Sequence, residues 1–238
     1  MKLTVLGKYG PFPKPNSATS GYLLEGEKTK AVLDLGSGTL SRLLDKISVT
    51  DLDFIVLSHL HYDHACDILP LSYALSFNKK QKVNLYLPKC DLPLLNLLKQ
   101  INEYNIIFIE EGVTYLEGEF TFCFYKTEHP VISYGIKITN GEKTLAYTGD
   151  STFTENLKNL VYGANFIVAD GAFLEKDHTE KSPHMSVRQA VSLGDYSKDS
   201  KVMVSHIGYK YSDEEVTKEI KSYSSTAFIA VEGEEYYI

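Results

Sequence analysis

The sequence predicts an α/β chain: a single domain over residues 1–238, built of two sheets covered by helices. Three observations predict it. Short apolar strand patterns and amphipathic helix patterns alternate from end to end. No linker, internal repeat or low-complexity segment divides the chain, and its 238 residues suffice for a sizeable core. Finally, several strand patterns end in a histidine or an aspartate, which places polar groups where loops gather at a sheet edge.

The strands are expected, in order, at Leu3 to Leu6, Tyr22 to Leu24, Ala31 to Leu35, Phe54 to Leu57, Val83 to Leu87 and Ile106 to Ile109. Six more are expected at Phe120 to Tyr125, Ile132 to Ile138, Thr144 to Thr148, Phe166 to Ala169, Val202 to Val204 and Ala227 to Val231. Enrichment in β-branched and aromatic residues carries these assignments. Asn140-Gly141 reads as the turn of a hairpin.

Helices follow the longer period. Leu40, Leu43, Leu44 and Ile47 recur at helical spacing, as do Leu94, Leu98 and Ile101, and again Val187, Ala190 and Val191. Ser186-Val187-Arg188-Gln189 and Ser212-Asp213-Glu214-Glu215 read as capping boxes that open helices. Pro11 to Pro15 reads as a rigid loop, and Lys79-Lys80-Gln81-Lys82 as a solvated helix end.

Composition excludes several classes. The chain is 43% hydrophobic and 23% charged, with no run approaching a membrane span. The opening segment has too short an apolar run for a signal peptide. Three unpaired cysteines, Cys66, Cys90 and Cys123, argue against a disulfide framework, so a cytoplasmic setting is expected. Twenty-four Lys and Arg against 31 Asp and Glu give a formal charge of −7, which disfavours non-specific nucleic-acid binding.

Residues 59 to 64 read His-Leu-His-Tyr-Asp-His, directly after the apolar run Phe54-Ile55-Val56-Leu57. Packing does not call for three imidazoles and a carboxylate in one hexamer, whereas a divalent ion with nitrogen and oxygen ligands does. His129, Asp150 and His206 each follow a further strand. One donor set is available in His59, His61 and His129, and a second in Asp63, His64 and His206. Asp150 can span both, because two carboxylate oxygens suit a metal separation of about 3.5–4 Å. The His-rich set favours zinc, and manganese suits the same donors. Cys66 reads as core, and His178 as solvated.

The order and spacing of these seven residues resemble the metallo-β-lactamase superfamily over nearly the whole chain. The resemblance implies an αβ/βα sandwich of two mixed sheets flanked by helices, with the site along one edge. Further segments are similar to its ribonuclease Z branch. One is Ala169 to Glu175 with Pro183 to Ala190, where Asp170, His184 and Ser186 match an acidic residue and a His-x-Ser motif. Another is Leu33 to Thr39, which resembles an early Asp-x-Gly-x-Gly-Thr turn. A further match is the segment closing the ligand set, Ser205 to Tyr211.

This resemblance implies attack on phosphorus by a hydroxide bridging two metals. Asp63 would hydrogen-bond the hydroxide and His184 would protonate the leaving oxygen. Asp170 would orient that imidazole, with Glu175 and Asp177 as rival partners. Ser186 reads first as a helix cap whose helix end could face a phosphate. Gly38 and Thr39 are turn residues that the analogy also places near substrate, as it does Gly36.

One departure narrows the substrate. Transfer-RNA-processing members carry a long basic arm between the metal histidine and the bridging aspartate. Here His129 and Asp150 stand 21 positions apart, and one hairpin fills the gap. The expected reaction is therefore hydrolysis of a small or cyclic phosphodiester. Cleavage of a transfer-RNA 3′ end, in a homodimer that binds RNA without the arm, is the second reading. A thioesterase or lactonase of the glyoxalase II type is the third. That type uses a C-terminal helical domain, and 32 residues follow His206.

Overall fold

A computed structural model describes residues 1–78 and 81–238. Lys79 and Lys80, part of the expected solvated helix end, lie outside the described residues. Two seven-stranded sheets face one another. In spatial order the first runs Glu235–Tyr237, Lys2–Gly7, Gly21–Glu25, Lys30–Leu35, Phe54–Val56, Val83–Leu87 and Tyr104–Phe108. The second runs Phe228–Ile229, Lys201–Ser205, Phe166–Asp170, Thr144–Tyr147, Tyr134–Thr139, Phe120–Lys126 and Thr114–Glu117. Each sheet mixes parallel and antiparallel neighbours, so the αβ/βα sandwich is present.

Side-chain alternation explains the layering. Phe120, Phe122 and Phe124 all point between the sheets, where they meet Phe54, Val56, Leu33 and Val168. Phe54 stacks on Phe122, with centroids 5.2 Å apart and planes within 5°. Ile55 and Leu57 point the other way, into a second cluster under the helices Thr39–Lys46, Ile68–Phe77 and Pro93–Leu98. Because Phe54 to Leu57 is buried on both faces, it reads as an unbroken apolar run. A third cluster lies between the second sheet and the helices Glu155–Val161, Val187–Ser192 and Asp213–Tyr223. Both expected capping boxes are formed, with Ser186 accepting from the Gln189 amide and Ser212 from that of Glu215.

Several boundaries differ from expectation. The strand expected from Ile132 begins at Tyr134, and the one expected from Ile106 begins two residues earlier, at Tyr104. The last expected strand narrows to Phe228–Ile229. Thr114–Glu117 and Glu235–Tyr237 are strands that the sequence did not announce. Both are short edge strands, set by their partners more than by local composition. Helix Ile68–Phe77 was also missed. It is apolar around its circumference, with Leu71 and Leu75 buried but Tyr73 and Phe77 exposed, so no helical period stands out. No helix among the described residues is long and apolar enough to cross a membrane.

One irregularity positions the site. Where Gly21–Glu25 pairs with Lys30–Leu35, Gly21 lies opposite Leu35 and Tyr22 opposite Leu33, which leaves Asp34 as an extra residue. Asp34 adopts φ 57°, in the left-handed region. This bulge re-aims a carboxylate that regular alternation would point elsewhere.

Candidate metal centre

The seven expected ligands converge on one rim of the sandwich. His59 and His61 follow the Phe54–Val56 strand, and Asp63 and His64 lie on the short helix Tyr62–Ala65 that His61 caps. Across the gap, His129 follows Phe120–Lys126, Asp150 follows Thr144–Tyr147, and His206 follows Lys201–Ser205. His206 adopts φ 54°, a strained backbone for a non-glycine residue that turns its ring back toward the rim.

Two donor sets result. In one, Nδ1 of His61 lies 3.0 Å from Nε2 of His59 and 3.1 Å from Nε2 of His129. Asp150 Oδ2 stands 3.7 and 3.8 Å from the same His59 and His129 nitrogens. In the other, Nε2 of His206 is 3.2 Å from Asp63 and 3.4 Å from Asp150, and Nε2 of His64 is 3.1 Å from Asp150 Oδ1. Donors at about 2.0–2.1 Å from a tetrahedral ion stand about 3.3 Å apart, so these spacings fit cations. Each set gathers its ligand atoms within 4.8 Å of one another, and Asp150 belongs to both.

The surrounding hydrogen bonds fix which nitrogens face inward. Asp34 accepts from the Ser58 amide and hydroxyl, each at 2.7 Å, from the Tyr147 hydroxyl at 2.5 Å, and from Nδ1–H of His64 at 2.7 Å. With its proton given to Asp34, Ser58 Oγ accepts from Nδ1–H of His59 at 3.0 Å. The Pro183 carbonyl accepts from Nδ1–H of His129 at 3.3 Å. These three rings therefore turn Nε2 toward the cluster, where each could offer a lone pair to a cation, the arrangement that partners behind a metal shell impose. Although His64 Nε2 and Asp150 Oδ1 are close, both are buried without a hydrogen-bond partner. Leaving such groups bare is costly, and a cation between them removes the cost.

Charge follows the same division. Burial and the neighbouring rings hold His59 well below the ordinary imidazole range, and burial first of all lowers His61 and His129. Burial also works against protonation of His206, but Asp150, Asp170 and Asp63 outweigh it and push its pKa up to about 10. Asp150 is drawn well below the usual carboxylate range by His206 and His64, against the effect of burial.

Residues 29–207 match the family model described as a β-lactamase superfamily domain. The chain belongs to the metallo-β-lactamase superfamily. Among relatives of this superfamily, the probable metallo-hydrolase YhfI of Bacillus subtilis is 30% identical over 233 residues, covering 93% of each chain. The crystal structure of the metallo-β-lactamase fold protein YhfI superposes with a TM-score of 0.92, covering 99% of this chain and 98% of that one. The ribonuclease Z of Archaeoglobus fulgidus is 23% identical over 272 residues, covering 89% of this chain and 88% of its own. Human short-form tRNase Z shares the fold, with a TM-score of 0.80 at 16% identity over 100% of this chain and 99% of that one. The chain is thus a metal-dependent hydrolase of the metallo-β-lactamase superfamily, and ribonucleases Z are among its more distant relatives.

The other expected residues divide. Asp170, the last residue of its strand, holds Oδ2 2.8 Å from Nδ1 of His184, and the same oxygen accepts from the Ser151 amide. The rivals are engaged elsewhere: Glu175 binds Ser186 and Arg188, and Asp177 binds Tyr211 and Lys210. Burial pulls the His184 pKa down, and Asp170 more than reverses this. His178 is not simply solvated. It is half-buried and its Nε2 donates to the His184 carbonyl at 3.1 Å, which steadies that loop.

Three residues expected near substrate are committed to the fold. Ser186 is fully buried, caps its helix and donates to Glu175 at 2.6 Å. Thr39 is fully buried and donates to the Gly36 carbonyl at 2.6 Å. Gly38 opens that helix with φ 85°. Gly36, also placed near phosphate by analogy, has a nearer role: a Cβ there would lie 1.9 Å from the Asp63 carbonyl, so its absence lets the ligand helix approach. Cys66 is half-buried and faces Asp67, away from any ligand role. Asp34 stands in the early turn that carries the resemblance but had no role there, and Ser58 and Tyr147 were not expected at the site. The available signal was a carboxylate inside the apolar run Ala31-Val32-Leu33-Asp34-Leu35.

Proposed function

We propose that the protein hydrolyses small phosphodiesters, cyclic ones included, using two divalent cations with zinc favoured and manganese possible. The single observation that carries this reading is the 2.8 Å contact of His184 with Asp170, set directly beside a double donor set that shares Asp150. Phosphodiester cleavage needs both parts, an electrophilic centre for the phosphoryl oxygens and a proton for the leaving oxygen.

The first cation would be held by His59, His61 and His129, the second by Asp63, His64 and His206, with Asp150 between them. Bound cations of this kind supply a nucleophilic water at neutral pH and neutralise charge on the phosphoryl oxygens. Asp150 spaces the two sets with its two oxygens. Asp63 can also accept a proton from the attacking water. His184 gives its Nδ1 proton to Asp170 and so presents Nε2, which delivers a proton to the departing oxygen. Asp170 fixes the ring's angle and favours its charged form.

A small substrate is favoured by the stretch between His129 and Asp150. The hairpin Tyr134–Thr139 with Thr144–Tyr147 occupies it, paired from Ile136 and Tyr147 to Thr139 and Thr144, and leaves no chain for an RNA-gripping arm. The net charge of −7 points the same way.

The test is turnover of bis-p-nitrophenyl phosphate by protein loaded with zinc or manganese. Hydrolysis that Asp150→Ala abolishes is the expected result. Turnover of thioesters with none of diesters overturns the proposal in favour of a glyoxalase II-type reaction. Cleavage of precursor transfer RNA at its 3′ end, at physiological salt, moves the substrate to RNA.

A further inference from the structure

Beside the metal centre stands a pair of aromatic rings that neither the core nor the chemistry uses. Phe12 and Tyr209 pack with centroids 4.3 Å apart and planes 38° from parallel, and they are 47% and 51% exposed. Among the described residues no other aromatic ring pair has both members so exposed. Each ring covers part of the other, and the remaining half of each is open to solvent.

The distance of the pair from the candidate ligand His206 is bounded by the chain between them. A Cβ on Gly10 would lie 2.1 Å from Nε2 of His206, so the Gly10 backbone touches the ligand ring. Phe12 is two residues beyond Gly10, and Tyr209 is three beyond His206. At ~3.8 Å per residue, Phe12 begins no more than about 8 Å from Gly10, and Tyr209 no more than about 11 Å from His206. The two segments are tied together by the parallel pairing of Tyr9–Gly10 with Ile207–Gly208 and by Lys14, whose Nζ donates to the Tyr211 carbonyl at 2.5 Å. Pro11 and Pro13 flank Phe12 and restrict its backbone. A rigid, half-open aromatic surface therefore sits within a nucleoside's reach of the site that would hold phosphorus.

We infer that Phe12 and Tyr209 form a stacking platform for the base of a nucleotide phosphodiester. This deepens the proposed function and rests on it, since it narrows the substrate class from small phosphodiesters to those that carry a nucleobase. A base presents a flat π-face, and aromatic side chains bind such faces with little regard to base identity. The platform thus selects for a base and only weakly among bases.

A binding comparison tests the platform apart from turnover. Adenosine 5′-monophosphate and ribose 5-phosphate share sugar and phosphate and differ by the base. Titrated calorimetrically into zinc-loaded full-length protein, the nucleotide is expected to bind at least about fivefold tighter. That ratio falls to near one in Tyr209→Ala and in Phe12→Leu, and persists in Tyr209→Phe. Circular dichroism identifies any variant that fails to fold, and Phe12→Leu keeps apolar bulk if Tyr209→Ala does so. Equal affinities in the parent, or a ratio that survives both ring-removing substitutions, overturns the platform. A change in oligomeric state with the ratio intact also overturns it, and assigns the rings to contact with a second copy. Loss of the ratio while diesters are still hydrolysed supports the platform, whereas failure to hydrolyse any diester strikes the proposed function itself.

Discussion

Asp170 holds its Oδ2 2.8 Å from Nδ1 of His184, and both sit against Asp150, whose Oδ2 is 3.7 Å from the same His184 nitrogen. Under the proposed function His184 serves as a proton donor, and it also lies in a group of possible ligands with Asp150, Asp170 and His206. For an alkyl leaving group, His184→Ala is expected to lower kcat by about 10²–10⁴-fold. A p-nitrophenolate leaves without a proton, so the loss there should be less than about tenfold. Steady-state rates on the two ester types check this, with metal content measured alongside. Stripped metal, or equal losses on both esters, would reject the assignment. Asp170→Asn should show the same ordering with a smaller amplitude.

Asp34 is the shared acceptor behind the metal centre. Its removal leaves His64, Tyr147 and Ser58 without their partner in a fully buried place. Asp34→Ala is expected to cost about 3–5 kcal/mol of stability. Metal affinity should fall about 10–100-fold, because His64 loses the bond that aims its ring. Denaturant unfolding and competition with a chelator read the two effects separately.

Gly10 has no room for a side chain. Gly10→Ala drives a methyl group into the His206 imidazole, so the ring must move. The metal content per chain is expected to fall, with the loss confined to the set containing His206. Elemental analysis reads the stoichiometry, and an unchanged value would show that the ring yields without cost.

Lys8 is nearly buried and binds Asp213, at 2.5 Å, in the first turn of the helix Asp213–Tyr223. Burial alone would raise the Asp213 pKa, but Lys8, Tyr9 and Lys14 together bring it below the ordinary value. A depressed carboxylate stabilises the fold above its unfolded pKa and loses that contribution as pH falls through the folded pKa. Asp213→Asn is therefore expected to cost about 0.5–1 kcal/mol near neutrality, the pair being half open to solvent. The difference from the parent should vanish in acid. Thermal melts across the acid range check the sign.

The candidate ligand set was legible because its members either crowd into the hexamer His59 to His64 or follow a strand whose apolar run is local. His59 after Phe54 to Leu57 and His206 after Val202 to Ser205 are recognisable without any tertiary information. Asp34 was not, since its role depends on a bulge whose left-handed backbone appears only when Gly21 pairs with Leu35. The partner of His184 was expected to be Asp170 from the resemblance, as the structure has it, but Glu175 and Asp177 stood as rivals because the three are similar at sequence level. Only the commitment of the latter two to Ser186 and Tyr211 separates them. The strand Glu235–Tyr237 pairs with Lys2, Leu3 and Thr4, more than 230 positions away, a distance at which local propensity carries no signal.

His59, His61, Asp63 and His64 come from one sheet, and His129, Asp150 and His206 from the other. Ions seated among them would act as a clasp across the opening between two halves joined by apolar packing and a few polar contacts such as Tyr147 to Asp34 and Tyr22 to Ser205. Depriving the protein of metal should then do more than silence it: the open rim should gape more readily, and the chain should melt and be digested sooner.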